Sequence, residues 1–174
     1  MKRSIGLWQL MGFAVTSLGG TLLHFLYEWL GNAVWVAPFS GVNESTWEHM
    51  KLLYFPMLLF ALVQSRFFKG YENFWCVKSA GFSAGLLLIP ALFYTYNGAF
   101  GRSPDWLNIA IFFIAAAGVF WLEARLLKRE AMRCKCPWTA LGLILLMGVF
   151  FVVFTFAPPR LPLFQDPLTG TYGI

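Results

Sequence analysis

The sequence predicts an all-α, polytopic integral membrane protein, a compact bundle of five transmembrane helices with its N-terminus inside and its C-terminus outside. Three observations carry this. Of 174 residues, 59% are apolar and only 12% charged, against roughly 25% charge in soluble domains. Five apolar windows approach or exceed the ~17–25 residues that a helix needs to cross a bilayer. The basic residues also segregate between the connections. With the N-terminus inside, Lys2, Arg3, Arg66, Lys69, Lys78, Arg125, Lys128, Arg129, Arg133 and Lys135 fall on the cytoplasmic side; Lys51, Arg102 and Arg160 fall outside. That asymmetry orients the chain.

Helices are favoured because backbone groups in hydrocarbon must be satisfied within their own segment. A β-barrel would need recurring alternating stretches of roughly ten residues, and none recurs. The tryptophans agree with the topology: Trp8, Trp75, Trp121 and Trp138 lie near inner span ends, and Trp29, Trp35, Trp47 and Trp106 near outer ones, where amphipathic rings settle. The net charge of +5 then reads as a topology signal and a contact with anionic headgroups. No nucleic-acid partner is expected, and the localisation is the cell membrane, multi-pass. The whole chain, 1–174, reads as one transmembrane domain.

The first span covers about residues 4–30. Lys2-Arg3 before an apolar run resembles a signal peptide, but the run is too long and lacks a small-x-small cleavage site, so it reads as a retained anchor. Gly12, Ser17, Gly19 and Gly20 let a neighbouring helix approach closely. His24 falls near the outer hydrocarbon boundary, with Glu28 one turn beyond on the same face. The connection 31–42 is itself apolar, which predicts a segment that dips into the membrane or caps the bundle as a short lid.

The second span, about 46–63, opens with Asn43-Glu44-Ser45-Thr46-Trp47-Glu48-His49-Met50-Lys51. Ser45 with Glu48 three residues on is a capping box, and Glu44 suits the positive end of the helix dipole. Capping leaves His49 and Lys51 unexplained. A short connection makes the first two spans antiparallel neighbours, so His24, Glu28, Glu44, Glu48 and His49 are expected to share one polar pocket, with His24 and Glu48 in direct or one-water reach. Pro56 and Pro90 sit inside the second and third spans and bend them.

The third span, about 79–96, ends in Tyr94-Thr95-Tyr96-Asn97-Gly98, and the fourth, about 106–122, follows Asp105. The tyrosines suit interface anchors and Asp105 a helix cap; all three also join the candidate ligand-binding set. Glu123 and Arg125 read as headgroup-level charges. After the fifth span, about 138–157, the tail 158–174 is apolar, carries Pro158, Pro159, Pro162 and Pro167, and has turn chemistry at Asp166-Pro167 and Thr169-Gly170. An ordered outer lid is expected, with Asp166 or Tyr172 directed at the polar cluster. Cys76, Cys134 and Cys136 fall on cytoplasmic loops, so no disulfide is expected. Cys134-Lys135-Cys136 has soft-metal ligands but no further ligand pair nearby, and reads as a solvated or lipidated loop.

Three strings, His24-Phe25-Leu26-Tyr27-Glu28-Trp29, Asn43 to Lys51, and Asp166-Pro167-Leu168-Thr169-Gly170-Thr171-Tyr172-Gly173, together resemble an uncharacterised family of small bacterial multi-spanning membrane proteins, known as a domain of unknown function. The resemblance covers nearly the whole chain and implies no activity, cofactor or catalytic residue.

The residues themselves point to an outward-facing polar pocket that binds or moves an ion or small ligand, as a transport or ligand-binding subunit. Carboxylate and histidine chains at membrane depth are the usual carriers of such work. The ligand-binding candidates are His24, Glu28, Asn43, Glu44, Glu48, His49, Lys51, Tyr94, Tyr96, Asp105 and Asp166. His24, Glu28, Glu48 and His49 offer ligands for zinc or another divalent cation. The alternative is an intramembrane metal-dependent hydrolase acting on a lipid or headgroup, with Glu44 or Glu48 as catalytic base, although the H-E-x-x-H spacing is absent. A structural factor whose polar ends merely pair is a third reading. Expected partners are the lipid bilayer, the small ligand or ion, and a homo-oligomeric or energy-coupling subunit.

Overall fold

The computed structural model describes residues 4–101, 103–129 and 134–174; Lys2, Arg3, Arg102, Arg133 and the side chain of Asp105 lie outside the described residues. Helix α1 spans Ile5–Trp29, α2 Thr46–Phe67, α3 Phe74–Phe100, α4 Asp105–Leu127 and α5 Pro137–Phe156, followed by a 3-10 turn at Pro162–Phe164. Each of these five helices is long and apolar enough to cross a membrane. Among the described residues no β-strand forms beyond an isolated bridge between Gln165 and Tyr172.

Three helices run further than their apolar windows. Helix α2 continues to Phe67, α3 begins at Phe74, and α4 continues to Leu127. The polar residues that close those windows turn inward: Gln64, Lys78 and Glu123 are buried rather than set at headgroup level. Glu123 pairs with Lys78 across α3 and α4, which corrects its reading as a headgroup-level charge. A pair of opposite charges lets both helices continue where a lone charge would have to reach water.

Helices α1, α2, α3 and α4 close a ring in which α1 and α3 each pack against both α2 and α4, and α5 packs outside against α3 and α2. Pro56 and Pro90 lie inside continuous helices. The ring is tight because α1 turns glycines inward. A Cβ on Gly12 would fall 2.3 Å from the Phe120 ring and 2.7 Å from Phe60; one on Gly20 would fall 2.5 Å from Phe112 and 2.9 Å from the Leu52 carbonyl oxygen. Small residues bring helices together in this way where no hydrophobic force separates lipid from protein.

The ends of the ring differ. Histidines and carboxylates gather where α1 ends and α2 begins, here the histidine end. At the other end Cys76, in the first turn of α3, is disulfide-bonded to Cys134, with Cα atoms 5.6 Å apart, and Cys136 is free and exposed. The expectation of three reduced loop thiols is thereby corrected. It rested on compartment alone, whereas the early start of α3 takes Cys76 out of the loop and brings it to the chain entering α5. The disulfide end is named accordingly below.

Replacing Gly20 with Ala drives a methyl group against backbone, which cannot yield as a side chain can. Thermal unfolding in detergent should show a loss of about 1–3 kcal/mol, the usual cost of overpacking. Replacing Gly118 with Ala, where the nearest atom is 3.6 Å away, should be nearly silent.

Candidate functional site

At the histidine end Ser45 caps α2, its hydroxyl accepting from the Glu48 N–H at 3.4 Å. Only half of the capping box forms. The Ser45 N–H donates to Asn43 Oδ1 at 2.9 Å, which leaves the Glu48 carboxylate for other partners. Glu48 Oε2 accepts from the Val42 N–H at 3.0 Å and meets Lys51 Nζ at 2.5 Å. Lys51 also donates to the Ala37 carbonyl at 2.8 Å and to Thr155 Oγ1 at 3.0 Å. One buried ion pair thus ties the 31–42 connection and α5 to the head of α2.

The connection folds back over α1. Ser40 Oγ accepts from the Tyr27 N–H at 2.9 Å and donates to the Leu23 carbonyl, while the Gly41 N–H reaches that carbonyl at 3.2 Å. Within it Val36 and Ala37 are buried, and Val34, Trp35 and Phe39 are exposed.

One turn before Glu48, Glu44 stands free of the scaffold. Its Oε1 lies 3.7 Å from His24 Nε2 and its Oε2 3.6 Å from His49 Nε2. The imidazole rings are 5.8 Å apart. His49 Nδ1 lies 3.0 Å from the Ser45 carbonyl. A carbonyl only accepts, so Nδ1 carries the proton; in the neutral form of the ring, Nε2 then turns a lone pair toward the carboxylate. This tautomer follows from the hydrogen-bond network. Two acceptors facing each other attract a proton or another positive group between them.

Beside Glu44 opens a cavity of about 500 Å³ whose lining includes His24, Tyr27, Glu28, Asn43, Glu44 and Asp166. Among the described residues, no Lys or Arg lines it. The tail supplies the opposite wall with Asp166, Thr169, Thr171 and Gly173. Asp166 holds that wall in a turn: its N–H donates to the Thr171 carbonyl at 3.0 Å, and its Oδ1 accepts from the Leu168 N–H at 2.7 Å. Asn43 Nδ2 donates to the Gly173 carbonyl at 3.0 Å. Phe164 anchors the tail, 4.7 Å from the Trp47 ring and 5.5 Å from Phe154. A cavity of about 20 Å³ lined by Glu44, Thr46, His49, Asn108 and apolar neighbours has room for about one water.

The structure divides the expected site residues. His24, Glu28, Asn43, Glu44 and Asp166 line the large cavity, and His49 touches Glu44 from the side. Glu48 and Lys51 are withdrawn into their mutual pair, so the carboxylate beside His24 is Glu44. Tyr94 packs on Phe93 and Tyr96 on Phe100; neither they nor Tyr172 are among the lining residues. The Asp105 side chain lies outside the described residues. Among the described residues, no group of three or more His, Cys, Asp or Glu is arranged to hold a metal ion. For the set His24, Glu28, Glu48 and His49 the physical reason is that Lys51 already engages Glu48.

Sequence reasoning missed Lys78 and Glu123. Their signal was present: two opposite charges, each directly at the edge of an apolar window. The chain belongs to a family of unknown function, DUF6512, whose model matches residues 1–174. No curated protein and no solved structure matches it.

Replacing Lys51 with Ala strands a buried carboxylate and should cost about 3–5 kcal/mol, read as a large fall in thermal unfolding temperature. The double replacement Glu48→Leu with Lys51→Met should recover much of that loss, since an apolar pair needs no charge partner.

Proposed function

We propose that this protein is an integral membrane binding or transport protein for a small organic cation, an amine or ammonium compound, received in the cavity at the histidine end. The observation that carries the reading is the lining: three carboxylates, Glu28, Glu44 and Asp166, and, among the described residues, no Lys or Arg. A volume of about 500 Å³ lies within the roughly 300–1,000 Å³ of ordinary small-molecule sites. Phe25 and Tyr27 add aromatic surface to the same lining, which suits a cationic head. Glu44 acts as the principal acceptor. The two imidazoles, one at each of its oxygens, exchange a proton for the ligand's charge. The tail forms the wall that the ligand must pass or displace, so binding and tail position are linked.

The intramembrane hydrolase reading would need a third protein ligand beside His24 and His49 and an open position for water. Among the described residues no such three-ligand group is arranged.

Thermal-shift and calorimetric titration of the purified protein with tetraethylammonium, spermidine and zinc chloride separates these readings. The expected result is stabilisation by the organic cations, reduced at least tenfold in apparent affinity by Glu44→Gln and much less by Tyr94→Phe. Tight stoichiometric zinc uptake lost in His24→Ala and His49→Ala would replace this reading with the metal one. No response to any of the three would overturn both.

A further inference from the structure

A second polar group lies wholly inside the bundle near the disulfide end. Lys78 Nζ from α3 meets Glu123 Oε2 from α4 at 2.6 Å. The ammonium lies 5.6 Å from the ring centroids of Phe60 and Phe120 and 5.7 Å from that of Phe74. Those rings surround it with three aromatic faces or edges, one from each of α2, α3 and α4.

Helix register brings two glutamines to the same level. The close approach of Gly12 to Phe60 and Phe120 marks one layer shared by α1, α2 and α4. Helix α1 runs opposite to α2 and α4. One turn toward the disulfide end therefore leads from Gly12 back to Gln9, from Phe60 on to Gln64, and from Phe120 on to Glu123. All three are in the core, with exposures of 3%, 0% and 0%. Both amide atoms of Gln9, both of Gln64, and Glu123 Oε1 are buried and have no hydrogen-bond partner among the described residues. Unpaired polar atoms in a dry core are strongly unfavourable, and Leu at both glutamine positions would fill the layer without them.

We propose that Gln9, Gln64, Lys78 and Glu123 form a second, occluded site that takes up a proton together with bound water. The proton adds to Glu123 Oε1, the oxygen that Lys78 does not engage. The carboxylate becomes a carboxylic acid, Lys78 stays an ammonium, and the layer passes from neutral to a single positive charge. The new O–H donates to water held by the two amides. Lys78 keeps its three aromatic neighbours when its counter-charge is neutralised, and the cation–π contacts then carry more of its stabilisation. Among the described residues Lys78 is the charged group that faces Glu123. From α1 and α2 the neighbours are the neutral amides, Arg66 is exposed, and Arg125 turns outward over the Trp121 ring at 5.0 Å. Membrane-buried carboxylates of this kind are the usual stations of proton relays. This inference stands on a different end of the bundle from the cation cavity and does not depend on it.

Infrared difference spectroscopy of the protein in lipid nanodiscs, titrated with acid in H2O and in D2O, tests it. The expected result is a carboxylic C=O band that grows on acidification, shifts promptly in D2O, disappears in Glu123→Gln and moves in Gln9→Leu/Gln64→Leu. Absence of any such band sensitive to Glu123 would overturn the proposal. So would a band that resists exchange for hours. If Glu123→Gln fails to fold, the Gln9→Leu/Gln64→Leu variant decides. A band shifted by that replacement supports the site; an unmoved band, with the protein merely more thermostable, reduces the layer to a sealed ion pair.

Discussion

The Glu48–Lys51 ion pair is the interaction on which the histidine end depends. Both charges are withdrawn from solvent, where neither would be stable without the other. Because Lys51 also holds the Ala37 carbonyl and Thr155, the pair fixes the 31–42 connection and α5 at the head of α2. Because Glu48 also holds the Val42 N–H, it sets where the chain emerges toward Glu44. The pair is electrically complete. Glu44, with its side chain 41% exposed, is therefore surplus to the scaffold, and so are His24 and His49. The functional reading rests on that surplus.

The two ends of the bundle solve the problem of buried polarity differently. At the histidine end the polar groups border an open cavity, and the tail of the chain supplies one wall. At the disulfide end Phe60, Phe74 and Phe120 surround the Lys78 ammonium, and the Cys76–Cys134 bond fastens α3 to the chain entering α5. Between them α1 turns inward a face of small and polar residues, Gly12, Thr16, Ser17 and Gly20. The hydroxyls of Thr16 and Ser17 are likewise buried without partners among the described residues. An apolar face would have packed as well, so the polarity of α1 belongs to the same question as the two sites it joins.

Much of this was legible in the sequence because bilayer thickness and backbone hydrogen bonding leave few alternatives. The five apolar windows, the Ser45 cap and the nearness of His24 to the head of α2 all follow from composition, spacing and a short connection. Which carboxylate met which partner did not follow. Glu44 and Glu48 are one turn apart, and the choice between them was made by Asn43, which occupied the Ser45 N–H and released Glu48 to Lys51. The other end was hidden by the same hydropathy that revealed the spans. A window ends at its first charge, so Lys78 and Glu123 marked boundaries on paper while in the fold they cancel inside the core. The disulfide was hidden for the same reason, since Cys76 lies in the turn of α3 that the window omitted. Tyr94 and Tyr96, adequate as pocket residues by position, pack instead on neighbouring rings of their own helix.

The central claim is that His49 presents an Nε2 lone pair to Glu44, creating an acceptor pair that calls for a positive ligand. Nitrogen-15 NMR of histidine-labelled protein in nanodiscs reads that tautomer directly. The account predicts that neutral His49 is protonated at Nδ1, and that spermidine moves its Nε2 resonance while leaving Nδ1 bound to the Ser45 carbonyl. A neutral His49 protonated at Nε2, with resonances indifferent to Glu44→Gln, would contradict it.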